Sequence, residues 1–595
     1  MTRTLIGAAL ALVALSARAD APSDLNEKSV AELEAMMAAG QLTSVELTQY
    51  YIDRIIALDQ NGPGVNSVIE LNPDALASAR EADQQRRRGK LRGPLHGIPV
   101  LLKDNIDTGD RMQTTAGSFA LLGTPPSRDS TVAANLRAGG AVILGKTNLS
   151  EWANFRSFES ISGWSGRGGQ THNPYFIDRN PCGSSSGSGA AASANFAAVS
   201  FGSETDGSIV CPGNANGVAA IKPTVGLTSR AGVVPISHTQ DTVGPHGRTV
   251  ADAAVALGVI QSRTFDGRDP ATGGVPLGWQ GTGRTRPKIP TDYTRFLDPE
   301  GLKGARIGVT RAGLGGFTNV TTPAPVTAAV EAVFAALTAA GASVIDLDAA
   351  GFVFPPADGE FLVLLYDFKF DVAKYFATRS GTVPVAGGTL QTAIDYNNAH
   401  AADEMPFFNQ DIFDLAQTMN PDPNFVDARF ATTPPDNTFP NGASYNMALQ
   451  NGHDVGANGI DAALAQFNLD AVVSATDNPA WATDLIYGDH FIFGTSSLAA
   501  APGYPIVQVP AGQVHGVPLG ISFFGTAFSE PKLITLASGY EAFTHARAKN
   551  LPKLLPTIPD SSRPEPDLVV PGRGHEDSAR RASVRQPRKG EQHHL

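Results

Sequence analysis

Two short turns crowded with serine and glycine hold residue types that cleave acyl bonds. They are Cys182-Gly183-Ser184-Ser185-Ser186-Gly187-Ser188-Gly189 and Gly202-Ser203-Glu204-Thr205-Asp206-Gly207-Ser208. A serine hydroxyl attacks a carbonyl once a base takes its proton, and the oxyanion that forms needs backbone N–H groups aimed at one point. Glycine permits that crowding of backbone. A flexible linker is the alternative for so much Ser and Gly. The joining residues argue against it, because Ala190-Ala191-Ala192-Ser193-Ala194 favours helix and Ala197-Ala198-Val199-Ser200-Phe201 suits a buried strand.

A base must then be found. The 12 histidines show no H-E-x-x-H or paired ligand spacing, so no metal site is expected. A buried lysine can serve instead, since low dielectric disfavours its ammonium. Lys103 ends the apolar run Ile98-Pro99-Val100-Leu101-Leu102 and is the candidate; an ion pair with Asp104 is the competing reading. Two patterns match and fail on context. Gly140-Ala141-Val142-Ile143-Leu144-Gly145-Lys146-Thr147 fits the phosphate-loop pattern, but its middle residues read as the strand itself, so no nucleotide cofactor is expected. Gly183-Ser184-Ser185-Ser186-Gly187 fits the nucleophile elbow of α/β-hydrolases, yet the polar, proline-broken Ile177 to Cys182 replaces the buried strand an esterase of that type requires.

The formal charge of −12 opposes general nucleic-acid binding, which leans on clustered Lys and Arg. Arg86-Arg87-Arg88 with Lys90 reads as the favourable C-terminal end of a solvated helix. Residues 1–19 read as a signal peptide: Arg3, an apolar run from Leu5 to Leu15, and an Ala17-Arg18-Ala19 cleavage site. The expectation is a periplasmic or secreted enzyme, cleaved near Ala19 and carrying no membrane span thereafter. Cys182 and Cys211 are the only cysteines. Two buried free thiols are expected, although an oxidising compartment would permit a disulfide.

The elements that must position these residues alternate. Ser29-Val30-Ala31-Glu32 and Thr43-Ser44-Val45-Glu46 are capping boxes, the second opening a helix striped by Leu47, Tyr51, Ile55 and Leu58. Strands are expected near Val68, at Val100–Leu102 and at Ala141–Leu144, with a helix over Thr131–Arg137. Arg306–Val309, Val326–Ala339 and Ser343–Asp346 repeat the theme, giving an α/β layered fold with a largely parallel sheet. Residues 262–300 read as a long surface loop. One domain is expected over 20–559, with 355–450 (including an apolar helix, Phe361–Phe376) as a variable cap and 560–595 as a disordered tail.

Together these residues resemble the amidase signature family. The resemblance runs from Pro94-Leu95-His96-Gly97-Ile98-Pro99-Val100 with Lys103-Asp104-Asn105, through Thr115-Ala116-Gly117-Ser118, Gly145-Lys146-Thr147-Asn148 and Asn173-Pro174-Tyr175, to both serine loops. It continues through Lys222-Pro223-Thr224-Val225-Gly226-Leu227 and Asp241-Thr242-Val243-Gly244-Pro245 to Pro502-Gly503-Tyr504-Pro505, Val509-Pro510-Ala511-Gly512 and Gly516-Val517-Pro518-Leu519-Gly520. It implies a large twisted mixed, mostly parallel sheet flanked by helices on both faces. It also implies a triad: Ser208 as nucleophile, Ser184 as bridging serine after a cis peptide bond, and Lys103 as base. Backbone N–H groups of Thr205, Asp206, Gly207 and Ser208 would form the oxyanion hole, with Ser185 and Glu204 behind them, and no cofactor.

Three departures from the usual pattern bear on the pocket: Cys-Gly-Ser-Ser-Ser-Gly-Ser in the first loop, Asp206 in place of glycine, and Val210 in place of arginine. These variants resemble bacterial peptide amidases, which implies a small-molecule or peptide amide as substrate. A general amidase or aryl acylamidase of the same family is the nearest alternative. A glutaminase of the transamidosome type fits poorly with an export signal, and a catalytically silent scaffold fits poorly with an intact triad.

Overall fold

A computed structural model describes residues 25–312, 323–433 and 437–559. The expected signal peptide and C-terminal tail lie outside the described residues. The chain divides into a unit ending at Thr557 and a second beginning at Ile558; the architecture below is that of the first.

Helices α1 (Val30–Ala38) and α2 (Ser44–Arg54) both start at capping boxes, Ser29 with Glu32 and Thr43 with Glu46. Each serine or threonine oxygen accepts an otherwise orphaned N–H while the glutamate returns the bond. On α2, Leu47 and Tyr51 are buried, as their spacing requires. Then follow β1 (Val68–Leu71), α3 (Ala75–Arg87), β2 (Pro99–Lys103), α4 (Thr131–Ala138), β3 (Val142–Thr147) and a small ribbon of β4 (Trp164–Ser165) and β5 (Gly169–Gln170). The second serine loop is framed by α5 (Ser186–Ser193), β6 (Val199–Glu204) and α6 (Val210–Ala215), and β7 (Ala219–Lys222), β8 (Thr242–Gly247) and α7 (Val250–Ile260) follow. Residues 262–300 hold only short 3-10 turns. Beyond them lie β9 (Arg306–Val309), α8 (Ala324–Ala339), β10 (Ser343–Asp346) and α9 (Glu360–Phe376), and later β11 (Ala471–Ala475), β12 (Ile506–Val514) and β13 (Val517–Phe524).

Eleven of these strands form one mixed sheet in the order β1-β3-β2-β6-β8-β7-β12-β13-β11-β9-β10. Parallel pairing falls in two blocks, β3-β2-β6 and β11-β9-β10, each supplied by crossovers of the kind the helix–strand alternation announces. Antiparallel ladders join the blocks from β6 to β11 and add β1 at the edge. The central strands β2, β3, β6, β7, β8, β11 and β13 are buried along their whole length, which is why they read as apolar or small-residue runs.

The described residues of 355–450 supply no strand to this sheet. Their helices, led by α9, share a separate apolar cluster with Trp152, Phe155, Val234 and Ile236. Phe368 packs edge-on to Phe155 at 5.2 Å and Trp152 edge-on to Phe413 at 5.4 Å, so this region sits against the loops beside the serine turns. Among the described residues no helix is long and apolar enough to cross a membrane.

Candidate active site

Lys103 is the last residue of β2, and β6 is its parallel neighbour with Leu102 opposite Phe201. The C-terminal ends of both strands therefore open on one edge, the usual place for a site in an open α/β sheet. Lys103 is fully buried, and its ammonium donates to Ser184 Oγ at 2.8 Å, Ser203 Oγ at 3.0 Å and the Ser203 carbonyl at 3.2 Å. Burial brings its pKa down to about 7, against the opposing pull of Asp241 and Glu204. The amine is thus readily unprotonated near neutrality. The competing pair with Asp104 is not made: Asp104 receives the Thr115 hydroxyl and Arg167, the latter at 3.2 Å.

The first serine loop bears on β6 and on the second loop. Its Gly183–Ser184 peptide is cis. Ser150 N–H donates to the Ser184 carbonyl at 3.1 Å, and Ser185 N–H to the Ser208 carbonyl at 3.1 Å. Ser185 Oγ donates to the Ser203 carbonyl at 3.0 Å and accepts from Ser203 N–H at 3.2 Å, so Ser185 stitches the loop to the strand. Gly202 makes that approach possible, because a Cβ there would lie 2.5 Å from Ser185 Oγ. Cys182 and Cys211 form a disulfide, with Cα atoms 5.9 Å apart. The expectation of two free thiols is therefore wrong. Sequence spacing did not show that the two loops lie face to face, which is what brings the sulfurs together.

In the second loop Gly207 adopts φ +77°, a conformation glycine takes without strain. Among the described residues, the N–H groups of Thr205, Asp206, Gly207 and Ser208 donate to no other protein group. They are unspent donors, as an oxyanion hole requires. Glu204 holds the turn from behind, its carboxylate accepting from Ile209 N–H at 2.6 Å and Val210 N–H at 2.9 Å at the start of α6. No hydroxyl bond joins Ser184 to Ser208 among the described residues, while the disulfide and the Ser185–Ser208 bond hold their loops together.

Several neighbours were given no role by the sequence. Asp241 accepts from Thr205 Oγ1 at 2.6 Å and from Ile236 and Ser237 N–H, fixing the near end of the turn. Glu360, at the start of α9, receives Gln240 Nε2 at 2.7 Å, and burial followed by the charge of Asp206 holds its carboxyl well above the usual range. Ser203 appeared only as part of the loop, yet it is the second partner of Lys103. Asn105 Nδ2 in turn donates to Ser203 Oγ at 2.8 Å.

A cavity of about 300 Å³ opens on Thr205–Ser208 and on both cysteines. Its walls include Ala153, Asn154 and Cys182, all non-glycine residues at positive φ (57°, 66° and 57°). Such strained backbone is common where a site is shaped for a ligand. The failed patterns are explained in the same frame. Val142–Thr147 is β3, with Lys146 buried against the Ile106 carbonyl at 2.7 Å, and no strand runs directly into Ser185.

The amidase profile matches residues 46–392. The chain belongs to the amidase family. A peptide amidase from Stenotrophomonas maltophilia shares 44% identity and superposes with a TM-score of 0.75, over 89% of this chain and 99% of that one. A peptide amidase solved with the competitive inhibitor chymostatin gives 45% and 0.76 over the same shares. An Arabidopsis thaliana protein named as an amidase is 39% identical over 88% of this chain and 91% of its own length. The amidase fold with its mixed eleven-stranded sheet and the hydrolysis of amides are thus this chain's own.

Proposed function

We propose that this amidase removes the terminal amide of peptides through Lys103, Ser184 and Ser208, and that it works outside the cytoplasm. The observation that carries the chemistry is the buried, readily unprotonated Lys103 amine at 2.8 Å from Ser184 Oγ, with Ser208 on the facing turn. Neutral Lys103 takes the Ser184 proton as Ser184 takes that of Ser208. Ser208 Oγ bonds to the amide carbon, and the carbonyl oxygen gathers charge among the unspent N–H groups. Ser184 then returns the proton to the departing nitrogen, ammonia leaves, and water cleaves the acyl-enzyme by the same relay. The second leg awaits substrate, since such hydrogen bonds commonly tighten only in the complex.

The peptide reading is supported by the likeness to peptide amidases and by a second cavity of about 520 Å³. That cavity includes Ile161 and Gly488, the chain neighbours of Ser162 and Asp489 in the first, and is where a longer acyl chain would extend in this reading. Export is supported by the leader-like N-terminus and by the disulfide, since such bonds persist mainly in oxidising compartments.

Ammonia release from peptide amides and from simple aromatic amides is the deciding measurement. The expected result is higher kcat/KM on the peptides; preference for the aromatic amides would move the chain to the general amidase reading. Ser208→Ala should lower kcat by on the order of 10⁴ or more while the protein stays folded. Wild-type turnover in that variant would take Ser208 out of the mechanism.

A further inference from the structure

One carboxylate beside the nucleophile has no task in this chemistry. Asp477 follows β11 by two residues, is 1% exposed and lines the same cavity as Ser208. Its Oδ2 is buried with no hydrogen-bond partner. The charges that act on it, Glu204 and Asp206, are both of its own sign, and burial with these two holds its carboxyl well above the usual range. The other acids of the cavity have partners, although Asp206 Oδ1 is itself buried without one. Asp489 accepts from Ser162 N–H and from Asn180 and Trp481 side chains, and Asp206 accepts from Ser497. Among the described residues no Lys, Arg or His lines this space. Phe155, Ile236, Leu364 and Trp481 give its wall an apolar and aromatic part, beside the polar Asn154, Ser162, Ser496 and Ser497.

An unsatisfied buried carboxylate is costly unless a partner arrives. The partner that suits this one is a cation on a methylene stem: the apolar part of the wall covers the stem and the carboxylate meets the charge. We infer that Asp477 is a specificity-determining residue that receives a primary ammonium group of the substrate, either the free α-ammonium of a short peptide amide or a lysine-like side chain. This deepens the peptide amidase reading and rests on it for the reaction.

The test compares matched substrates with Asp477→Asn, which keeps the shape and removes the charge. Peptide amides carrying lysine or norleucine at one position, each with a free or acetylated N-terminus, distinguish the two sources of ammonium. A 4-aminomethyl and a 4-methyl benzamide form a matching pair without peptide. Butylammonium serves as a competitive inhibitor that needs no turnover.

In the wild type the cationic member of at least one pair should be favoured by roughly tenfold or more in kcat/KM, and butylammonium should inhibit. In Asp477→Asn the preference and the inhibition should fall about tenfold through KM, with kcat on the neutral member retained. Equal rates on charged and neutral members in the wild type, or an equal loss on both in the variant, would overturn the assignment. If only the benzamide pair is hydrolysed, with its charge preference intact, the peptide reading fails and Asp477 keeps its role.

Discussion

At the scale of single residues, everything turns on one proton. Lys103 has a folded pKa lowered to about 7 by burial, whereas an unfolded lysine titrates near 10.4. In the proposed relay the reactive form is the neutral amine, so kcat/KM should rise through an acid limb near pH 7 and level off above it. Lys103→Ala should lose at least a thousandfold and lose that limb as well, read from pH–rate profiles. Full recovery of the variant's rate at high pH would make the base dispensable. The sign of the linkage is also fixed. Between about pH 7 and the ordinary lysine range the unfolded chain holds a proton the folded one lacks, so this group's contribution to stability improves with rising pH. Denaturant unfolding of Lys103→Met across that window should show the rise flattened.

At the scale of elements, the site is two loops pinned at the same strand edge. Cys182 and Cys211 tie the loop before α5 to the first turn of α6 across a separation of 29 residues. Replacing both by serine should lower stability by about 3 kcal/mol in denaturant unfolding. It should also reduce kcat more than it raises KM, because what loosens is the register of Ser184 against Ser208. Much of this frame was legible beforehand. The capping boxes, the apolar run ending at Lys103 and the switch from helix-favouring alanines to a β6-like run are local signals, and each element formed where its period placed it. The rest depends on which strands become neighbours. That β2 and β6 are adjacent, that two cysteines face each other, and that Glu360 and Asp477 arrive from far along the chain are facts of topology. No spacing within a short window encodes them.

At the scale of the whole molecule, the order of strands has its own consequence. The N-terminal block reaches as far as β7, the block from β9 to β11 stands apart, and only the hairpin β12–β13, among the last strands to be made, lies between them. Until the ribosome has delivered residues beyond Ile506, the two half-sheets lack the hairpin that joins them, so folding during synthesis should stay short of completion. Under the export proposed above, such a delay would suit a chain that must be threaded as an open strand. Chains halted just before Ile506 should therefore be far more protease-sensitive than full-length ones in a coupled translation assay, with resistance appearing only once the hairpin has emerged.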